Sequence, residues 1–182
     1  MNRIILLAVV FSLIYNTAAL AVSHTITNDS FWNTANGEPL YSQGGGIFKF
    51  NHPKTGKPTY FWYGVHYEEA EAYRNDPSVT QQGNRFKAVT CYSSTDLVNW
   101  TYESDALSAE TLLKATGSRR LGWLGRTGVA YVKEADAYVL IIQHNSQVLF
   151  AKADNPLGPF EWHHVKNMTS WIGTSNTGDQ TV

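Results

Sequence analysis

Two successive stretches of the chain each break into four short runs of aromatic and β-branched residues separated by turn clusters, with no sustained helical period. In the first, Gly46 to Phe50 reads as a strand and Asn51-His52-Pro53-Lys54-Thr55-Gly56-Lys57-Pro58 as a turn; Tyr60 to Tyr67, Phe86 to Ser93 and Trp100 to Glu103 complete the set. In the second, strands are expected over Gly128 to Val132, Ala137 to His144, Val148 to Ala153 and Phe160 to Val165. Laid over each other without gaps, Val89 to Trp100 (VTCYSSTDLVNW) and Leu149 to Phe160 (LFAKADNPLGPF) both run from a strand through a small polar turn to an aromatic that opens the next strand. A repeated four-strand unit is the pattern of β-propeller blades, each burying its face on the next. The competing all-β architecture is an antiparallel sandwich. The first unit carries an insertion, His66 to about Arg85, in which Glu68-Glu69-Ala70-Glu71-Ala72-Tyr73 is expected to form a short helix over one face.

At 182 residues, 43% hydrophobic and 16% charged, the chain has enough apolar surface for a real core and is not of disordered composition. Arg3 followed by the apolar Ile4 to Tyr15 and by Ala19-Leu20-Ala21 has the form of a signal peptide over residues 1–21, leaving 22–182 as a secreted or periplasmic domain. The apolar stretch is shorter than the about 20 residues that span a bilayer, so no membrane association is expected after cleavage. A net charge of -1 with no basic run leaves no footprint for nucleic acid. Glu68, Glu69 and Glu71 read as a solvated face. Cys91 is the sole cysteine and reads as a buried, inert strand thiol. Asn28, Asn99 and Asn167 head glycosylation sequons. The 13% aromatic content suits pleated surfaces and also the platforms on which sugar rings stack.

Four segments carry a family resemblance: Ser42-Gln43-Gly44-Gly45-Gly46-Ile47, Tyr60-Phe61-Trp62-Tyr63-Gly64, Ala88 to Trp100 (AVTCYSSTDLVNW) and Asn155-Pro156-Leu157-Gly158-Pro159-Phe160. Together they resemble family 43 glycoside hydrolases, nearest the branch of galactan-directed exo-enzymes. The resemblance implies a five-bladed β-propeller with the active site at one end of its central channel, incomplete here as about two blades and the start of a third. It implies inverting hydrolysis of galactan, arabinan or arabinogalactan, with no cofactor. An acid protonates the leaving oxygen while a base activates water on the opposite face, the two carboxyls roughly 6.5–9.5 Å apart. The acid Glu of the family belongs to a later blade, beyond Val182. The 182-residue chain alone is therefore expected to be inactive and poorly stable, with open blade edges.

By the same resemblance Asp179, in Gly178-Asp179-Gln180-Thr181-Val182, matches the carboxylate that orients the acid; a plain Gly-Asp turn is the other reading. Gln43 stands at or beside the position of the base, where an amide can orient water or hold a hydroxyl but is a poor base. In Gly122-Trp123-Leu124-Gly125-Arg126-Thr127-Gly128, Gly125 replaces an acidic residue common in related enzymes. Trp123 there can stack on a sugar and Arg126 can bind hydroxyls, or both can serve the core and a salt bridge. Val65 follows Tyr63-Gly64 where the galactan-directed branch tends to have Glu, so hydroxyl recognition must differ. His66 and His144 follow apolar central strands, as channel-mouth contacts or as hydrogen-bonded structural histidines. His163-His164 point to opposite faces of a strand and cannot chelate together, so no metal site is read. The expected partner is an oligo- or polysaccharide. A non-catalytic glycan-binding propeller is the alternative function, and an unrelated sandwich lectin a third.

Overall fold

The structure is a computed structural model that describes residues 25–78 and 83–173. Two four-stranded antiparallel sheets follow one another along the chain. Blade one pairs β1 (Gln43–Asn51), β2 (Pro58–Tyr67), β3 (Phe86–Ser94) and β4 (Thr101–Ser108) in chain order. Blade two pairs β5 (Gly125–Val132), β6 (Ala137–His144), β7 (Gln147–Ala153) and β8 (Glu161–Asn167) likewise. The inserted helix α1 (Ala70–Asn75) forms where the Glu-Ala repeat predicts it, tied down by Arg85 to Glu68 and Glu69 and by Lys87 to Glu71.

A second helix, α2 (Ala109–Thr116), joins the blades, where the sequence reading expected no helix outside the insertion. Ser108 caps it by accepting from the Thr111 N–H, Gly117 closes it in the left-handed conformation, and Leu112 is its buried anchor. A third, α3 (Thr169–Ile172), follows β8.

Strand register makes the blades superposable residue by residue. Gln43 pairs with Val65 and Gly46 with Tyr63; Gly125 pairs with Gln143 and Gly128 with Ile141. Each inner strand thus carries the same three-against-two bulge at its start. His66 and His144 become equivalent positions, as do Gly44 and Arg126. Val65 pairs on with Val89, and Gln143 with Val148, so Val89 matches Val148 and the ungapped superposition slips by one within the strand. The turn in blade two is one residue longer, and the match is restored at Trp100 and Phe160, both buried.

The core lies between the sheets. Blade one presents Phe61, Tyr63 and Val65, while blade two presents Leu140 and Ile142, the opposite parity of its own strand. Two stacked blades must use opposite faces, because the front of one meets the back of the next. The β7–β8 turn of blade two docks on that front face. Tyr63 Oη donates to the Pro156 carbonyl at 2.6 Å, Ser104 Oγ to the Leu157 carbonyl at 2.5 Å, and Phe160 meets the Tyr63 ring edge-on at 6.3 Å. On the back of blade one the incoming segment takes the corresponding place, with Trp32 and Trp100 both edge-on to Trp62. Cys91 is buried, as expected, and desolvation raises its thiol well above the ordinary range.

Candidate functional site

Both bulges need one residue with left-handed backbone. In blade one Gly44 fills that position (φ 59°); in blade two Arg126 does (φ 54°). For a side-chain-bearing residue this conformation costs about 1–2 kcal/mol. Strain of this kind is held where the surroundings enforce it, often at functional sites. The Arg126 guanidinium reaches back across the blade junction, its Nη1 3.2 Å from where a Cβ on Gly44 would lie. Gln43 and Arg126 are thereby brought to one rim.

Beside that rim opens a cleft of about 440 Å³. Its wall takes Ser42, Gln43, Val65 and Tyr67 from the blade, Phe31, Trp32, Leu40 and Tyr41 from the incoming segment, and Tyr73 and Arg74 from α1. Arg74 lies over the Phe31 ring at 5.1 Å and donates to the Trp32 carbonyl and to Asn33 Oδ1. This fastens α1 to the incoming segment. Sequence reasoning overlooked most of these aromatics. Phe31-Trp32 and Tyr73 lie in stretches without periodicity, where nothing says which face they serve. Tyr67 was also overlooked; it donates to the Leu124 carbonyl at 2.5 Å. Burial pushes its phenol up to about 12, against the opposing charge of Arg126, so it stays a donor at neutral pH.

Trp123 and His144 form a second pair. His144 Nδ1 sits 2.7 Å from the Trp123 carbonyl, which fixes the δ-protonated tautomer. Its ring faces a separate cavity of about 220 Å³ with Leu121, Leu149 and Trp162 in the wall. The Trp123 indole lies on Gly125, and a Cβ there would come within 2.6 Å of the ring. The space in which position 125 would carry a carboxylate is thus filled by Trp123.

His66 stands apart from this pair, on the back face of blade one. Its ring stacks on Tyr41 at 4.2 Å and 4°, with Nε2 3.4 Å from Glu71 Oε1. Burial, reinforced by the Lys87 charge, holds the imidazole below its usual range. Unfolded His66 binds a proton at higher pH than folded His66, so its contribution is fully present above the unfolded pKa of about 6.5 and is lost as pH falls through the folded value. The carboxylate of Glu71, held low mainly by the Lys87 hydrogen bond, acts in the same direction at lower pH. The melting temperature is expected to drop between pH 7.5 and 5.5, and His66→Phe, which keeps the stack on Tyr41, should flatten that part of the profile. An unchanged slope in the variant would rule His66 out as its source. Asp179 lies outside the described residues.

The sequence matches no known family model and no curated protein. Solved structures do match. The exo-β-1,3-galactanase of Clostridium thermocellum is 22% identical with a TM-score of 0.55, covering 77% of this chain and 27% of that one. A galactose complex of the exo-β-1,3-galactanase of Phanerochaete chrysosporium is 24% identical with a TM-score of 0.54, over 78% of this chain and 30% of that one. A family 43 β-1,3-galactosidase with galactodeoxynojirimycin is 24% identical with a TM-score of 0.55, over 77% and 38%. The chain therefore has the fold of family 43 glycoside hydrolase structures and spans 27% to 38% of the length of these three. The fold so defined is a β-propeller like that of these structures, with two blades among the described residues, and the sandwich reading falls away.

Proposed function

We propose that this chain is part of an exported glycoside hydrolase acting on plant galactan, arabinan or arabinogalactan, and that the cleft beside Gln43 holds a glycosyl unit. The observation that carries this reading is the convergence of both inner-strand bulges on one rim. It puts the Arg126 guanidinium against Gly44, whose neighbour Gln43 lines a cleft walled with aromatic rings. Sugar sites combine these two elements: flat apolar faces for the C–H surface of the ring and fixed donors for its hydroxyls. The galactose complex of the Phanerochaete structure supports a carbohydrate as ligand.

In an inverting displacement the Gln43 amide would orient the attacking water or hold a hydroxyl, Arg126 would bind hydroxyls at the rim, and Asp179 would orient the acid. The remaining work, proton delivery to the leaving oxygen and proton removal from water, takes carboxyl groups in addition to these side chains. A second reading, glycan binding without hydrolysis, is favoured by the indole that fills the carboxylate space at Gly125.

Titration of the purified chain with galactose, β-1,3-galactobiose and arabino-oligosaccharides, followed by tryptophan fluorescence, tests the shared part of both. Saturable binding weakened about tenfold by Gln43→Ala is expected, the loss from removing a hydrogen-bonding partner of a bound hydroxyl. No binding to any of them would sink both readings. Product release, scored by reducing ends with a protein that carries this chain within a whole propeller, separates hydrolase from binding module.

A further inference from the structure

The wall of the cleft beside Gln43 holds a single charge. Its polar groups are hydroxyls, among them those of Tyr41 and Tyr73, and the Gln43 amide. No Asp or Glu stands in it among the described residues, and Arg74 is its one ionised side chain. The other charges around α1 are matched, Arg85 with Glu68 and Glu69, and Lys87 with Glu71. Glu71 precedes Arg74 by the spacing of a helical ion pair, but its carboxylate goes to Lys87 and faces His66. Arg74 makes no ion pair among the described residues, and its hydrogen bonds run to neutral acceptors, the Trp32 carbonyl and Asn33 Oδ1.

Two rings lie close to this guanidinium, Phe31 at 5.1 Å and Tyr41 at 5.9 Å, and the side chain is half-buried. Rings take water away from a cation and neutral acceptors do not cancel its charge, so the arrangement is costly until an anion joins it. The same desolvation strengthens the pair once it forms. Two of the five guanidinium N–H groups are engaged, which leaves donors for a carboxylate or sulfate oxygen. We infer that the glycosyl unit taken by this cleft is acidic, charged at C6 as a uronic acid carboxylate or a sulfate ester, and that Arg74 reads the charge. C6 is where a pyranose carries an anion without giving up a ring hydroxyl, so the ring hydroxyls remain for the Gln43 amide and the tyrosines. The inference rests on the reading of the cleft as a sugar site and goes on to name the sugar class.

Three forms of methyl β-D-galactopyranoside differ only at C6 and so isolate this contact: the neutral parent, the uronate and the 6-sulfate. Titrated into the 182-residue chain at about 50 mM salt, at least one anionic form is expected to bind about tenfold tighter than the parent. Whichever binds tighter identifies the carrier of the charge. The net charge of -1 gives the chain no general attraction for anions. Raising the salt to about 500 mM should weaken the anionic form at least about twofold and leave the parent unchanged. Arg74→Gln, its fold checked by thermal melting, should bring the three affinities to within about twofold of one another. An Arg74 that merely fastens α1 would lower all three together, and an unchanged ratio in the variant would overturn its role as reader. Should the variant fail to fold, the salt response of the wild-type ratio decides instead. Equal or tighter binding of the neutral parent by the wild-type chain would overturn the inference while leaving the sugar-site reading intact. Failure of all three to bind would overturn that reading itself.

Discussion

Gly45→Ala is expected to abolish folding or to cost more than about 4 kcal/mol, the largest effect of a methyl group added at any described glycine. A Cβ on Gly45 would lie 1.6 Å from the Tyr63 carbonyl oxygen and 2.7 Å from Gly64 Cα. Both are backbone atoms of the paired strand. No side-chain rotation relieves such a contact, so the bulge at the start of β1 would have to open, and the Gln43–Val65 pairing with it. Gly64 faces the same constraint from the other side, since its Cβ would fall 2.8 Å from Ser42 Cα. The two glycines together let the strands approach where the inner strand turns into the rim.

Two controls separate this from a general intolerance of alanine. Gly125→Ala meets first the Trp123 ring, a side chain that can swing away, and should cost roughly 1–3 kcal/mol. Gly122→Ala meets nothing within 4 Å and should stay within about 0.5 kcal/mol of wild type. Urea unfolding of the three variants gives the order directly. A Gly45→Ala protein that folds with less than about 1 kcal/mol lost would mean that the bulge is not closed as described.

The body of each blade was legible in the sequence because its strands alternate, and alternation survives as long as one face is buried. The starts of the inner strands were not. Residues 43–45 and 125–127 belong to β1 and β5, yet the bulge breaks the period of two just there, and glycine gives no hydrophobic signal. Face assignment also failed to show. Val139-Leu140-Ile141-Ile142 is apolar at every position, so only the stacking of the two sheets reveals that Leu140 and Ile142 are the pair facing blade one. The helix α2 carried its signals openly in Ser108 and Gly117, but eight residues with one buried anchor make too short a stripe to stand out. For the candidate site, Gln43 and Arg126 were readable as individual residues. Their meeting at one rim was not, because it follows from register rather than from spacing. The equivalence of His66 and His144 is of the same kind. Their environments differ because blade one has the incoming segment and α1 on its back, whereas the back of blade two meets blade one.

Arg126→Gly should be more stable than Arg126→Ala, yet weaken glycoside binding about tenfold or more. The equivalent bulge position in blade one is already glycine, with φ 59° against 54° at Arg126, so glycine removes the left-handed strain without altering the backbone. The guanidinium is lost with it, and so is the only charged side chain that the bulges bring to the rim beside Gln43. Arg126→Ala makes the comparison decisive. It loses the same guanidinium but keeps a Cβ at positive φ, so it should bind as weakly as the glycine variant while melting lower, by about 1 kcal/mol at the midpoint. Two variants with one affinity and two stabilities would show that the strain is paid for ligand contact rather than for packing. If Arg126→Gly instead bound glycosides like the wild type, the guanidinium would belong to the junction between the blades. The sugar would then have to be held by Gln43 and Arg74 against the aromatic wall alone.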